Sequence, residues 1–151
     1  MTLFEAVLWL TLNVYHEARS EPPKAKMAVA LVTLNRAKTR NLTIKEVVLE
    51  PNQFSWTSDK SLLGVIPTND IESFQDCFKS VLLAVVNDDF TKGATYYHHK
   101  RITPDWKYKF KYVGSFGGKQ RFYKTKPKIC KIKVGKVKII VQNKQKPKSI
   151  S

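Results

Sequence analysis

Apolar residues recur at helical spacing from the start of the chain: Leu3, Val7, Leu10 and Val14 fall on one face, with Phe4, Leu8 and Tyr15 on its flank. Thr2 stands where an N-cap belongs, and Glu5 three residues later completes a capping box, so the pattern predicts a helix to about Ala18. Ser20-Glu21-Pro22-Pro23 then breaks the chain, because proline cannot sit inside a helix, although Pro23 suits the first turn of the next one. Beyond it Met27, Ala28, Leu31, Leu34 and Asn35 share a face, with Val29 and Val32 beside them, which predicts a second, well-buried helix. Thr43 opens a short third helix, TIKEVVLE, closed by Pro51. A polar and aromatic loop, NQFSWTSDKSLLGVIPTND, leads to a fourth helix, IESFQDCFKSVLLAVVND, with Asn69 or Asp70 as its cap.

After the fourth helix the pattern changes. TYYHH (95–99), FKYVGSF (110–116) and QRFYK (120–124) read as extended segments, the last two joined through GGK as a tight hairpin. From Ile129 to Val141 apolar residues alternate with lysines around Gly135-Lys136, which predicts a two-stranded ribbon with one apolar and one lysine face. Helices first and short strands afterwards predict an α+β fold. The expected organisation is a main domain over 1–126, a lysine-rich β-hairpin extension over 127–142 and a disordered tail over 143–151.

Length supports one domain with a full core, since 151 residues leave little for a second. The 42% hydrophobic and 11% aromatic fractions exclude a chain disordered throughout. The formal charge of +15 is concentrated at one end: residues 92–151 hold 18 Lys and Arg against Asp105 alone, whereas residues 1–91 hold 9 against 11 acidic residues. A basic end on a near-neutral body predicts an attachment surface for a polyanion, or else a solubilising face with no partner. Cys77 and Cys130 are too far apart in sequence for a CxxC pair and suggest neither a disulfide framework nor a structural zinc; Cys77 is expected as a buried thiol. The apolar run over 3–15 is too short to span a membrane, and Glu5 replaces the basic residues of a signal peptide. The expectation is therefore a chain without a signal peptide that is cytosolic when made, any exported substrate being reached by another route.

Glu17 is the chemically interesting carboxyl. At the C-terminal end of a helix the macrodipole disfavours negative charge, and Val14 and Tyr15 beside it are apolar, so both effects raise its pKa. A carboxyl still protonated near neutral pH is what a general acid at a glycosidic oxygen requires. The same position also suits a solvated helix-end residue beside Arg19, and residue physics alone favours that alternative. Glu21 would be a second acid if the helix continued, but Pro22 and Pro23 argue against that geometry. Asp59 and Asp70 are further candidates without a positional argument. His16, Glu17, His98 and His99 lack the spacing of a metal site, and no phosphate loop or GxSxG is present, so neither metal nor cofactor is expected. Exposed aromatic residues stack sugar rings as readily as unpaired bases, whereas Phe110, Tyr112, Phe122 and Tyr123 are expected in the core.

VYHEARSEPPKAKMAVALVTLNR, from Val14 to Arg36, resembles the signature of the SleB-like cell wall hydrolases, in which Y-x-E-A-R-x-E-P precedes A-V-A-x-V-x-L-N-R. The likeness continues in VVLEPNQFSW, where the family has V-V-x-x-P-x-Q-F, and in GATYYHH, a tryptophan and GGKQRFYK, where it has A-x-x-F/Y-H-N and a closing G-x-H-x-F-Y. Four linked segments in order, over about residues 6–124, make the resemblance specific. It implies a lysozyme-like helical domain with a small antiparallel β element, and cleavage of the MurNAc-GlcNAc bond of peptidoglycan by a lytic transglycosylase. Glu17 aligns with the single catalytic glutamate. Gln53, Phe54, Trp56, Tyr96, Tyr97 and His98 are the expected substrate-binding residues. Ser20 stands where glycine is usual and His99 where asparagine is common, departures that bear on the shape of the groove and not on Glu17.

The partners so implied are peptidoglycan glycan strands, met by a monomer, with electrostatic contact between the basic C-terminal ribbon and an anionic wall or membrane. A phage endolysin or virion-borne lysin is the implied setting, held in the host cytoplasm until release to the periplasm and cell wall, or carried with a virion. A hydrolytic muramidase of lysozyme type is the alternative reaction. From a different class, a nucleic-acid-binding protein would fit a pI near 9.9 and interleaved lysines and aromatics, but leaves the near-neutral helices unexplained.

Overall fold

The computed structural model describes residues 1–126 in full, and 128–134 and 137–143 as backbone strands. The helices are α1 (Leu3–Ala18), α2 (Pro23–Arg40), α3 (Ile44–Val48) and α4 (Ile71–Val86); the strands are β1 (Tyr96–His99), β2 (Lys111–Gly114), β3 (Gln120–Lys124), β4 (Lys128–Val134) and β5 (Val137–Asn143). The expected mixture of helices and a small antiparallel sheet is what forms, with β3 central in the order β1-β3-β2. β4 and β5 pair with each other, antiparallel. The two faces expected of that ribbon, its Gly135-Lys136 turn and the expected tail over 143–151, apart from Asn143 at the end of β5, lie outside the described residues.

Local chemistry sets the helix ends. Thr2 and Thr43 both form reciprocal capping boxes, with Glu5 and Glu46. Pro22 and Pro23 start α2 without a side-chain cap, since proline at the first turn has no N–H to satisfy. Asn41 ends α2 in the left-handed conformation at φ 53°, which asparagine tolerates better than most residues. Asp70 takes the N-cap position of α4, but its carboxylate accepts from the Tyr15 hydroxyl at 2.8 Å.

Packing makes α1 the central element. Its residues Trp9 to Tyr15 are all buried, although Leu3, expected on the apolar face, and Phe4, expected on its flank, are 78% and 73% exposed in the first turn. A helix buried on every side must settle its polar groups internally. Asn13 does so: its amide donates to Thr33 Oγ1 at 3.3 Å and its carbonyl oxygen accepts from Trp56 Nε1 at 2.9 Å. The polar interruption in the first apolar run is therefore the tie between α1, α2 and the loop after α3. The aromatic loop itself folds into three short 3-10 turns, Ser55–Ser58, Lys60–Leu62 and Thr68–Asp70. Cys77 is a free buried thiol, pushed by burial up to about 11.

The sheet has two unlike faces, because successive residues of a strand point to opposite sides. Tyr97 pairs with Phe122 and both belong to the main core, while Tyr96 pairs with Tyr123 and both belong to a smaller cluster with Trp106. Phe122 and Tyr123 are core as expected; Tyr112 is 51% exposed because it lies on the edge strand β2. The β2–β3 hairpin docks on the start of α2. A Cβ at Gly118 would stand 2.8 Å from Ala25 Cβ and 2.8 Å from Glu21 Oε2, so only glycine permits this approach.

Asn13→Ala removes the acceptor of Trp56 Nε1–H and leaves a buried donor unpaired, which is expected to lower stability by about 1–3 kcal/mol. Urea unfolding should show a lower midpoint at unchanged slope.

Candidate active site

Glu17 occupies the last full turn of α1, one residue before its end, and Tyr97 reaches it from β1. The Tyr97 hydroxyl donates to Glu17 Oε2 at 2.8 Å, and the Gln120 side chain on β3 donates to the Glu17 backbone carbonyl at 3.3 Å. Three elements therefore hold one residue: α1 carries it, β1 binds its carboxylate and β3 binds its backbone.

Burial is the main force on this carboxyl and raises its pKa above the usual glutamate range; the Tyr97 hydrogen bond and the charge of Arg36 pull it partly back. The sequence pointed to the helix dipole and apolar neighbours, whereas withdrawal from water is the larger cause. Tyr97 responds in kind: burial and the neighbouring Glu17 push its hydroxyl well above an ordinary tyrosine, so it serves Glu17 as a neutral donor.

Arg36 lies below. It is fully buried, its Nε donates to the Thr95 carbonyl at 2.7 Å, and its guanidinium sits 5.5 Å from the Phe54 ring and 5.7 Å from the Tyr96 ring. Burial lowers its pKa to about 10, which still leaves it charged near neutral pH. The two rings are thus occupied with a buried cation.

That arrangement redistributes the residues expected to line a groove. Phe54 and Tyr96 are buried beneath the surface against Arg36 and offer no ring face to a sugar. Trp56 is buried, hydrogen-bonded to Asn13 and stacked on His16 with centroids 4.5 Å apart. Gln53 is half-buried in the turn ahead of Phe54. Tyr97 is bonded to Glu17 itself. His98 belongs to the other face of the sheet, where its ring stacks on Tyr123 at 5.3 Å and Nε2 meets the Tyr123 hydroxyl at 3.1 Å.

The other carboxylates considered from sequence have structural partners. Glu21 accepts from the Lys119 backbone N–H at 3.2 Å and so clamps the β2–β3 hairpin. Asp59 accepts from the Ser61 N–H and hydroxyl at 3.0 and 2.6 Å, and Asp70 is held by Tyr15. Among the described residues no group of three His, Cys, Asp or Glu side chains is placed to hold a metal ion.

Gln120 and Arg36 were not singled out from sequence. Gln120 stands at the histidine position of the closing G-x-H-x-F-Y pattern, a departure legible beforehand. Arg36 closes the L-N-R motif, and a charge inside an apolar helical pattern was its only signal.

A family model described as cell wall hydrolase matches residues 20–123, a segment that begins three residues after Glu17. No curated protein sequence matches the chain. Among solved structures, the catalytic domain of the germination-specific lytic transglycosylase SleB from Bacillus anthracis is 27% identical, at a TM-score of 0.66, over 82% of this chain and 97% of that one. The catalytic domain of the Bacillus cereus SleB protein is 30% identical, at a TM-score of 0.65, over 80% of this chain and 91% of that one.

A carboxyl with a raised folded pKa binds more protons in the native than in the unfolded state once pH exceeds the unfolded value, so stability falls as pH rises through that window. Glu17→Gln, which keeps an acceptor for Tyr97 and cannot ionise, is therefore expected to melt higher than the parent at neutral pH. The difference should close below the ordinary glutamate pKa, which paired thermal melts across pH would show.

Proposed function

The chain belongs to the cell wall hydrolase family, and from that premise we propose that it cleaves the MurNAc-GlcNAc bond of peptidoglycan as a lytic transglycosylase, with Glu17 as general acid and then base. The observation that carries the proposal is a single half-buried carboxyl with raised pKa, while Glu21, Asp59 and Asp70 are each engaged elsewhere. Two-carboxylate glycosidases need a partner acid across the sugar. A transglycosylase does not, because its substrate supplies the nucleophile.

In the first step the Glu17 carboxylic acid gives its proton to the glycosidic oxygen as the bond to the MurNAc anomeric carbon breaks, and the GlcNAc-side alcohol departs. Tyr97 then stabilises the carboxylate so formed through its hydroxyl. In the second step that carboxylate takes the proton of the MurNAc 6-hydroxyl as its oxygen closes onto the anomeric carbon. The product is 1,6-anhydro-MurNAc, no water is consumed, and Glu17 ends protonated as it began.

The proposed glycan contact on this side is the turn that carries the half-buried Gln53, since Tyr97 and Trp56 are buried and engaged by Glu17 and Asn13. The SleB domains it resembles support the transglycosylase chemistry, one of them belonging to a lytic transglycosylase. The lysozyme-like character that the resemblance implies would rest on the same feature, a glutamate delivered near a helix end. A hydrolytic muramidase would use the same acid and let water take the place of the 6-hydroxyl.

Glu17→Gln should keep the fold and lower lysis of permeabilised cells by two or more orders of magnitude, read as turbidity. Retained lysis would remove Glu17 from the mechanism. Mass spectrometry of sacculi digested by the parent should show 1,6-anhydro-muropeptides; reducing-end MurNAc alone would assign hydrolysis.

A further inference from the structure

The sheet carries a second concave surface on the side away from Glu17. Tyr97, which binds Glu17, alternates along β1 with Tyr96 and His98, so those two residues and their partners Tyr123 and Arg121 occupy the opposite face. On that face lies a cavity of about 520 Å³, open to solvent, whose lining includes His98, Lys100, Lys107, Tyr108, Tyr112 and Arg121.

Its composition is one-sided. Three cationic side chains line the cavity, and no Asp or Glu is among the described lining residues. Like charges gathered without a counter-charge repel one another, an arrangement that an anionic ligand relieves. Arg121 is braced for such a ligand. Its Nη1 donates to the carbonyls of Gly118 and Gln120, both at 3.2 Å, and among the described residues Nε and Nη2 have no hydrogen-bond partner. A guanidinium held this way can offer the rest of its fork to a carboxylate or phosphate.

The aromatic residues add a second kind of recognition. Tyr108 and Tyr112 are 79% and 51% exposed, an unusual amount of ring surface to leave beside lysines. The Lys107 ammonium lies 5.8 Å from the Tyr108 ring centroid. Below them the floor is rigid: Tyr123 packs against His98, Tyr112 and Trp106 with centroids 5.3–5.5 Å apart. Exposed tyrosine faces over a fixed aromatic floor accept the apolar face of a sugar ring.

We propose that this cavity is a binding site for an anionic saccharide of the cell wall, separate from the cleavage site, with the sugar ring on Tyr108 and Tyr112 and its anionic group on Lys100, Lys107 and Arg121. The wall as source rests on the function proposed above; the preference for an anionic sugar rests on the cavity alone. The site holds the enzyme on its polymer through the face that Glu17 does not use.

The test uses the full chain carrying Glu17→Gln, so that no probe is consumed. Three probes are titrated calorimetrically at low and at physiological salt: a GlcNAc-MurNAc-peptide with free carboxylates, a glycerol-phosphate-substituted saccharide, and a neutral chitin oligomer of equal length. Binding of either charged probe in preference to the neutral one is expected, weakening with salt, and the better probe identifies carboxylate or phosphate as the anion. Lys100→Glu combined with Tyr108→Ala, both at exposed positions, should weaken that binding at least about tenfold with unchanged melting. Tyr112→Ser should weaken it on its own, and Lys131→Gln with Lys133→Gln in the C-terminal segment should not. Equal affinity in the cavity variants, equal affinity for the neutral probe, or a loss confined to the C-terminal variant would each overturn the site. These readouts stand apart from lysis: failure of the parent to lyse sacculi would sink the cleavage proposal and leave the titrations interpretable.

Discussion

The hydrogen bond from the Tyr97 hydroxyl to Glu17 joins residues 80 apart in sequence and fixes the end of α1 against the middle of the β1–β3 pair. A carboxyl drawn out of water resists ionisation, and a hydroxyl that can only donate to its charged form eases that resistance. The surrounding fold maintains the balance between the two. Asn13 anchors α1 through Thr33 and Trp56, Gln120 holds the Glu17 backbone, and Glu21 closes the hairpin over the start of α2. Remove the burial and Glu17 becomes an ordinary surface carboxylate; remove the tyrosine and its charged form loses its one direct donor among the described residues. Stability and chemistry oppose each other at this residue, since the feature that makes it a useful acid also makes its ionised form a strain on the fold.

Much of the helical framework was legible because its causes are local. Thr2 with Glu5, Thr43 with Glu46 and the Pro22-Pro23 break act within a turn of chain, and the helices begin and end where these residues direct. Tertiary facts were harder to read. Leu3 and Phe4 have the right period for the core but lie on a turn that nothing covers. Phe54 and Tyr96 looked like sugar platforms because an aromatic residue in a motif carries no mark of what will occupy its face; only the fold shows that Arg36 lies between them. Asn13 looked like an interruption and is a junction. Glu17 was legible as an unusual carboxyl, while the larger cause of its raised pKa, burial under a distant strand, was not.

The strand alternation that divides Tyr97 from Tyr96 and His98 also divides the molecule's chemistry. One face of the sheet meets α1 and α2 and binds the Glu17 carboxyl through Tyr97. The other gathers aromatic rings and cations from β1, β2, β3 and the turn around Trp106. Basic charge in this chain is therefore not confined to the C-terminal segment. Lys100, Lys107 and Arg121 belong to the body that the cell wall hydrolase model spans, which places cationic surface on the same small sheet that supports Glu17.

The most direct measurement is the titration of the Glu17 side-chain carboxyl by ¹³C NMR, assigned by loss of its resonance in Glu17→Gln. A midpoint displaced above the ordinary glutamate value is expected, with the carboxyl still protonated as its neighbours ionise. A midpoint at or below that of a solvent-exposed glutamate would contradict the assignment of Glu17 as a burial-tuned general acid.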